Sequence, residues 1–229
     1  MPKPKYTFNQ ADSIKKLNAF FTSEKSTLNS FGNLVNQTFE AYTFASTIQW
    51  YKNNGWEVEI VNPIIKKIPT FRLKFSTRGN PNNYSYAICS MVNNSCQIRH
   101  QLRVSTKSNN ARDNDANICC DIVILKDIDL QFYNTETAVP NESVISFGEV
   151  KHMSAFAELI AGFIGMVHEI QPSRLKRIRL KSWVKIAHLS PYLNVSGYLF
   201  KTAKGIKKTI EKRKYDIDIY DYENKMNEI

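Results

Sequence analysis

Residues 118–125 read Ile-Cys-Cys-Asp-Ile-Val-Ile-Leu, apolar at odd and even positions alike, with Asp121 as the one charge. A strand with one wet face alternates, whereas a strand apolar at both parities must be covered on both faces. Residues 144–151, Val-Ile-Ser-Phe-Gly-Glu-Val-Lys, form a second apolar strand that ends in charge. These two runs call for a sheet sandwiched between helices.

The rest of the chain supplies those layers. Residues 31–52 read as a long helix, with Phe31, Leu34, Val35, Thr38, Phe39, Tyr42, Ala45 and Gln49 near one stripe. Asn29 or Ser30 is a suitable N-cap, and Asn53-Asn54-Gly55 is a strong stop. From Asn29 to Tyr51 the only charged residue is Glu40. A helix so poor in charge is expected to be buried, and its lone acid needs a partner. Residues 13–21 read as a short helix. Strands are expected at 56–61, 71–75, 84–91, 97–105, 195–202 and 215–222, and helices at 154–167 and 204–214. The turn residues Asn80-Pro81-Asn82-Asn83 suggest a hairpin over 71–91. The fold expected is α/β, a mixed central β-sheet flanked by helices. Residues 1–28 form a basic N-terminal arm, 29–222 one domain, and 223–229 a polar tail.

The net charge of +10 favours a polyanionic partner. It is concentrated: residues 171–214 hold thirteen Lys or Arg against Glu211 alone, whereas 215–229 hold five acids and one Lys. Within the basic stretch, Arg174, Lys176, Arg177, Arg179 and Lys181 interleave with Leu175, Ile178 and Leu180. A nucleic-acid groove needs this mixture, because phosphates dominate affinity. The plainer alternative is a solvated basic face. A membrane-surface helix is disfavoured, since residues 204–214 lack a bulky apolar face. No run reaches the roughly 18 apolar residues of a membrane span, and Met1-Pro2-Lys3-Pro4-Lys5 leads into no signal-peptide core.

Cys89, Cys96, Cys119 and Cys120 lack zinc-ligand spacing, as do His100, His152, His168 and His188. A reduced, cytoplasmic protein is expected. Phosphate-binding glycine loops and a nucleophile elbow are both missing from the sequence.

The chemistry concentrates at the two apolar strands. A carboxylate inside a buried strand must be paired, metal-bound or at an open end, and Asp121 is such a group. Strand period two puts Glu149 and Lys151 on one face, with Val150 opposed. The spacing alone is weak, since Glu223-Asn224-Lys225 repeats it in the polar tail. An Asp on one core strand, a Glu-x-Lys on the next and a helix after it together resemble the PD-(D/E)XK nuclease superfamily, over roughly residues 31–202. The resemblance implies a restriction-endonuclease-like core and hydrolysis of nucleic-acid phosphodiesters, with DNA expected before RNA. It implies Asp121, Glu149 and the Val150 carbonyl as ligands of Mg²⁺ (or Mn²⁺), with Glu40 as an auxiliary ligand. Lys151 would position the attacking water or offset the developing charge.

Two departures stand out. Cys120 occupies the place of the superfamily's Pro, and the distance from Glu40 to Asp121 requires an inserted β-hairpin. The chemistry suits the residues: hard carboxylate oxygens bind Mg²⁺, which polarises a phosphate and acidifies water, and an ammonium stabilises the anionic transition state. A homodimer would suit cleavage of both strands of a duplex. The alternatives are an inactive nucleic-acid-binding or assembly subunit on the same fold, and an unrelated basic α/β protein whose acids are ion-paired.

Overall fold

A computed structural model describes residues 8–26, 34–107, 116–130, 138–176 and 188–229. Helix α1 (Gln10–Ser23) starts at Asn9, whose side chain accepts the Asp12 N–H at 3.1 Å. Its Leu17, Phe20 and Phe21 are buried, so the described part of the N-terminal arm belongs to the core. Helix α2 (Val35–Asn53) is buried as its shortage of charge suggests. Its buried threonines are satisfied: Thr43 and Thr47 donate to carbonyls one turn back, Thr47 also meets the Tyr192 hydroxyl at 2.7 Å, and Asn194 donates to Thr43. The helix stops at Asn53, and Gly55 makes the turn with φ of +84°.

The chain then builds β1 (Glu57–Val61), a small hairpin of β2 (Ile64–Ile65) and β3 (Ile68–Pro69), β4 (Tyr86–Met91), β5 (Asn94–Ser105), β6 (Asn117–Lys126) and β7 (Val144–Lys151). Helix α3 (Ala157–Ile170), β8 (Tyr192–Val195), α4 (Lys201–Arg213) and β9 (Asp218–Tyr220) follow. Seven strands form one mixed sheet in the order β1-β4-β5-β6-β7-β8-β9. Pairing is antiparallel from β1 to β7, then parallel from β7 to β9. Parallel neighbours need a crossover, and α3 and α4 supply one each.

Two apolar cores cover the two faces of this sheet. One joins α1, α2, Trp56, Ile98, Ile122, Ile124 and Val150; the other joins α3, α4, Leu102, Val104, Cys120, Val123, Leu125 and Phe147. Strands β6 and β7 are therefore apolar at both parities because both their faces are covered. Among the described residues, no helix is long and apolar enough to cross a membrane.

One feature of β5 departs from simple alternation. Cys96 and Ile98 enter the α1/α2 core, whereas Leu102 and Val104, of the same parity, enter the α3/α4 core. The same switch occurs in β6 between Cys120 and Ile122. Between these positions lies Gln101, with φ of +54°. This left-handed residue rotates the strand, so the faces exchange where Gln101 and Asp121 lie opposite.

The hairpin expected over 71–91 is not formed. Residues 71–75 are not a strand, and Tyr86–Met91 pairs instead with Asn94–Ser105 across a two-residue turn, Val92-Asn93. A separate short hairpin forms from β2 and β3, turned by Lys66 and Lys67, both at positive φ. Likewise, 195–202 is a strand only at its first residue, because the chain turns after Val195 and enters α4 at Lys201. The polar tail is not free of the fold, since Met226 is buried beside α1 and α2.

Gly148 fixes how β7 meets β8. A Cβ there would lie 2.3–2.5 Å from the ring of Tyr192, which is fully buried and held through its hydroxyl by Thr47. The ring has nowhere to retreat, so Gly148→Ala is expected to destabilise the protein by roughly 1–3 kcal/mol. Thermal denaturation checks this: an unchanged midpoint would show that the two strands separate freely.

Candidate active site

Strands β6 and β7 stay paired from Leu125 to Ile122, whose partner is Gly148. Past that pair they part, and the Asp121 carboxylate enters the gap. Its Oδ2 accepts the Val150 backbone N–H at 2.8 Å, replacing the missing ladder bond. Asp121 is thus tied to β7 through the backbone, next to the two charged side chains that β7 presents.

The three residues singled out in the sequence converge. Lys151 Nζ lies 3.1 Å from Asp121 Oδ2 and 2.5 Å from Glu149 Oε1. One ammonium therefore bridges carboxylates from adjacent strands. Glu149 and Lys151 share a face, as period two requires. The other oxygen of Glu149, Oε2, is buried and has no hydrogen-bond partner among the described residues.

Glu40 reaches the same network from α2. The Gln101 amide nitrogen donates to Asp121 Oδ1 at 2.9 Å and to Glu40 Oε2 at 3.1 Å. His100 is packed between Phe44 and Phe75, with Nε2 3.4 Å from Glu40 Oε2. That separation allows attraction without the alignment of a hydrogen bond. Gln101 and His100 escaped the sequence reading, since a Gln and a His in an alternating strand carry no signal. Lys74 escaped it too. Its buried ammonium donates to the Gln101 carbonyl at 2.7 Å, catching a carbonyl that positive φ has turned out of the ladder.

The electrostatics follow from crowding. Burial, then the neighbouring Asp121 charge, push Glu149 up to about 7 against the pull of Lys151. Burial would lower Lys151, but Asp121 and Glu149 outweigh it and hold the ammonium at about 12. Burial would raise Glu40, yet the nearby imidazole, the Gln101 amide and the Lys151 charge leave it below its ordinary value.

The donor set suits a hard cation. Asp121 and Glu149 offer carboxylate oxygens, one of them buried and unpartnered, and Mg²⁺ is commonly held by one or two carboxylates with water completing its shell. No cluster of three or more His, Cys, Asp or Glu side chains able to hold a metal occurs among the described residues. Glu40 stands one amide away from Asp121 rather than beside it.

The basic stretch is only partly within view. Arg174 is engaged by the fold, paired with Asp216 and donating to the Ile145 carbonyl at 2.9 Å. Lys176 is exposed. Arg177, Arg179 and Lys181 lie outside the described residues. Comparison of the chain with protein-family models, with curated proteins and with solved structures gives no match.

Proposed function

We propose that this chain is a metal-dependent nuclease with a restriction-endonuclease-like core, hydrolysing phosphodiesters of nucleic acid, DNA before RNA. One observation carries the reading: Asp121 and Glu149, from adjacent strands at the point where the ladder opens, share one ammonium, and a buried Glu149 oxygen is left without a partner. Structural ion pairs usually use their oxygens fully, since an idle buried acceptor is costly. Mg²⁺ or Mn²⁺ at these oxygens would supply an acidified water and a polarised phosphate.

The remaining roles belong to the chain itself. Asp121 is held in place by the Val150 N–H and the Gln101 amide, so its geometry is set before any substrate arrives. The Val150 carbonyl and Glu40 are the further candidate ligands. Lys151 positions the attacking water or offsets charge on the transition state. The chain's +10 charge supports a polyanionic substrate.

A second reading is an inactive nucleic-acid-binding or assembly subunit on the same fold. It is favoured by Lys151 itself, which already compensates both carboxylates without a metal. Incubating the full chain with plasmid and with RNA, in Mg²⁺, Mn²⁺ or chelator, separates the two. Cleavage that needs the cation supports the enzyme. Binding without cleavage under every condition supports the subunit.

A further inference from the structure

Beyond Lys151 and Val195 the parallel pairing of β7 with β8 does not end abruptly. The Lys151 carbonyl accepts from Ser196, Met153 from Gly197, and Ala155 exchanges with Tyr198 and Phe200. The two chains run side by side until Phe156 leads into α3 and Phe200 into α4. There the two phenyl rings stack, with centroids 4.3 Å apart and planes inclined by 17°. Among the described residues Phe156 is 50% and Phe200 36% exposed.

A stacked aromatic pair with its outer surface in water is unusual, because burying those rings would be favourable. Its surroundings indicate the occupant. Helix α4 follows directly on Phe200 and carries Lys201, Lys204, Lys208 and Lys212, all exposed and spaced along one side. Lys204 is paired with Glu223 at 2.9 Å, and Glu158 is the acid nearest the start of α3. The helix as a whole is strongly basic, with Glu211 its single acid. Phe156 follows Lys151 by five residues, a span of at most about 18 Å of chain. An aromatic column beside a lysine row, within a few nucleotides' reach of the acidic pair, matches how single strands are held: bases stack on rings while phosphates follow cations.

We propose that Phe156 and Phe200 form a base-stacking platform for unpaired nucleotides, so that the substrate class is nucleic acid with a single-stranded segment beside the scissile phosphate. The inference rests on the nuclease reading and names the substrate of that same site. A ring accepts any base on its π-face, so the platform selects unpaired bases rather than a sequence. A closed duplex offers its bases only at its ends.

The test uses the full chain in chelator, so that nothing is cut. Fluorescence anisotropy measures the affinity for a labelled single-stranded oligothymidylate and for a labelled blunt-ended duplex. The expected result for Phe156→Ala/Phe200→Ala is roughly 5- to 100-fold weaker single-strand binding, with duplex binding unchanged. Phe156→Tyr/Phe200→Tyr should restore it. Phe156→Leu/Phe200→Leu keeps apolar bulk without the ring and should bind as weakly as the Ala pair, which separates stacking from folding. Single-strand affinity equal to wild type in the Ala pair would overturn the platform while leaving the nuclease intact. Equal losses on both ligands would overturn it as well. If the wild type binds neither ligand and cuts nothing in Mg²⁺ or Mn²⁺, the nuclease reading falls and takes the platform with it.

Discussion

Asp121→Asn and Glu149→Gln are each expected to abolish cation-dependent cleavage, and Lys151→Ala to slow it by roughly 10²-fold or more. The two acids lose for the same reason, since each removes an anionic oxygen from a site where two carboxylates act together. The amide variants are preferred because Asp121 does structural work: its Oδ2 caps the Val150 N–H at 2.8 Å. Asp121→Ala would leave that buried donor unsatisfied, at about 1–3 kcal/mol, and lost activity could then reflect lost fold. Lys151→Ala removes the one ammonium that offsets both acids, so Glu149 should hold its proton still more tightly while the cleft stays folded. Cleavage assays beside thermal denaturation decide the matter. A folded Lys151→Ala protein that cuts at the wild-type rate would remove Lys151 from the mechanism.

The part of this site that was legible in the sequence is the part encoded by period and burial. An apolar run interrupted once placed Asp121 inside the sheet. The Glu-x-Lys spacing put two charges on one face, and the structure brings both Asp121 and Glu149 within contact of Lys151 Nζ. The one charge between Asn29 and Tyr51 is Glu40, which joins the network through Gln101. What could not be read depends on backbone choices that residue type conceals. Gln101 has left-handed φ, a conformation normally signalled by Gly or Asn. It is sustained from outside the strand by Lys74, on a segment whose alternation looked like a strand of its own. The hairpin error has the same origin. Val92 and the pair Lys66-Lys67 adopt positive φ in tight turns where Asn-Gly or Gly would advertise a hairpin. Asn80-Pro81-Asn82-Asn83 advertised one and forms a short 3₁₀ turn instead.

The protonation of Glu149 gives a test of the site that does not depend on catalysis. Its folded value of about 7 stands above the ordinary 4.5, so the folded state binds this proton more tightly than the unfolded chain does. Stability should therefore fall as pH rises from about 4.5 to about 7, with the full penalty present above that window. Lys151 is raised instead; its stabilisation is fully present below about 10.5 and is lost as pH climbs from there to about 12, far from this range. Glu149→Gln resembles the protonated acid and leaves Lys151 its contact with Asp121 at 3.1 Å. In chelator the variant should match wild type near pH 5 and exceed it near pH 8 by on the order of 2 kcal/mol, or roughly 4–8 °C in Tm. Curves that run parallel between those values would show that Glu149 is an ordinary acid. The same measurement with Mg²⁺ or Mn²⁺ probes the cation. A hard cation competes with the proton for Glu149, so it should raise the wild-type Tm near pH 8, do little near pH 5, and help Glu149→Gln least. A wild-type Tm indifferent to both cations near pH 8 would leave the carboxylate pair in place, bridged by Lys151, and would remove the metal from it.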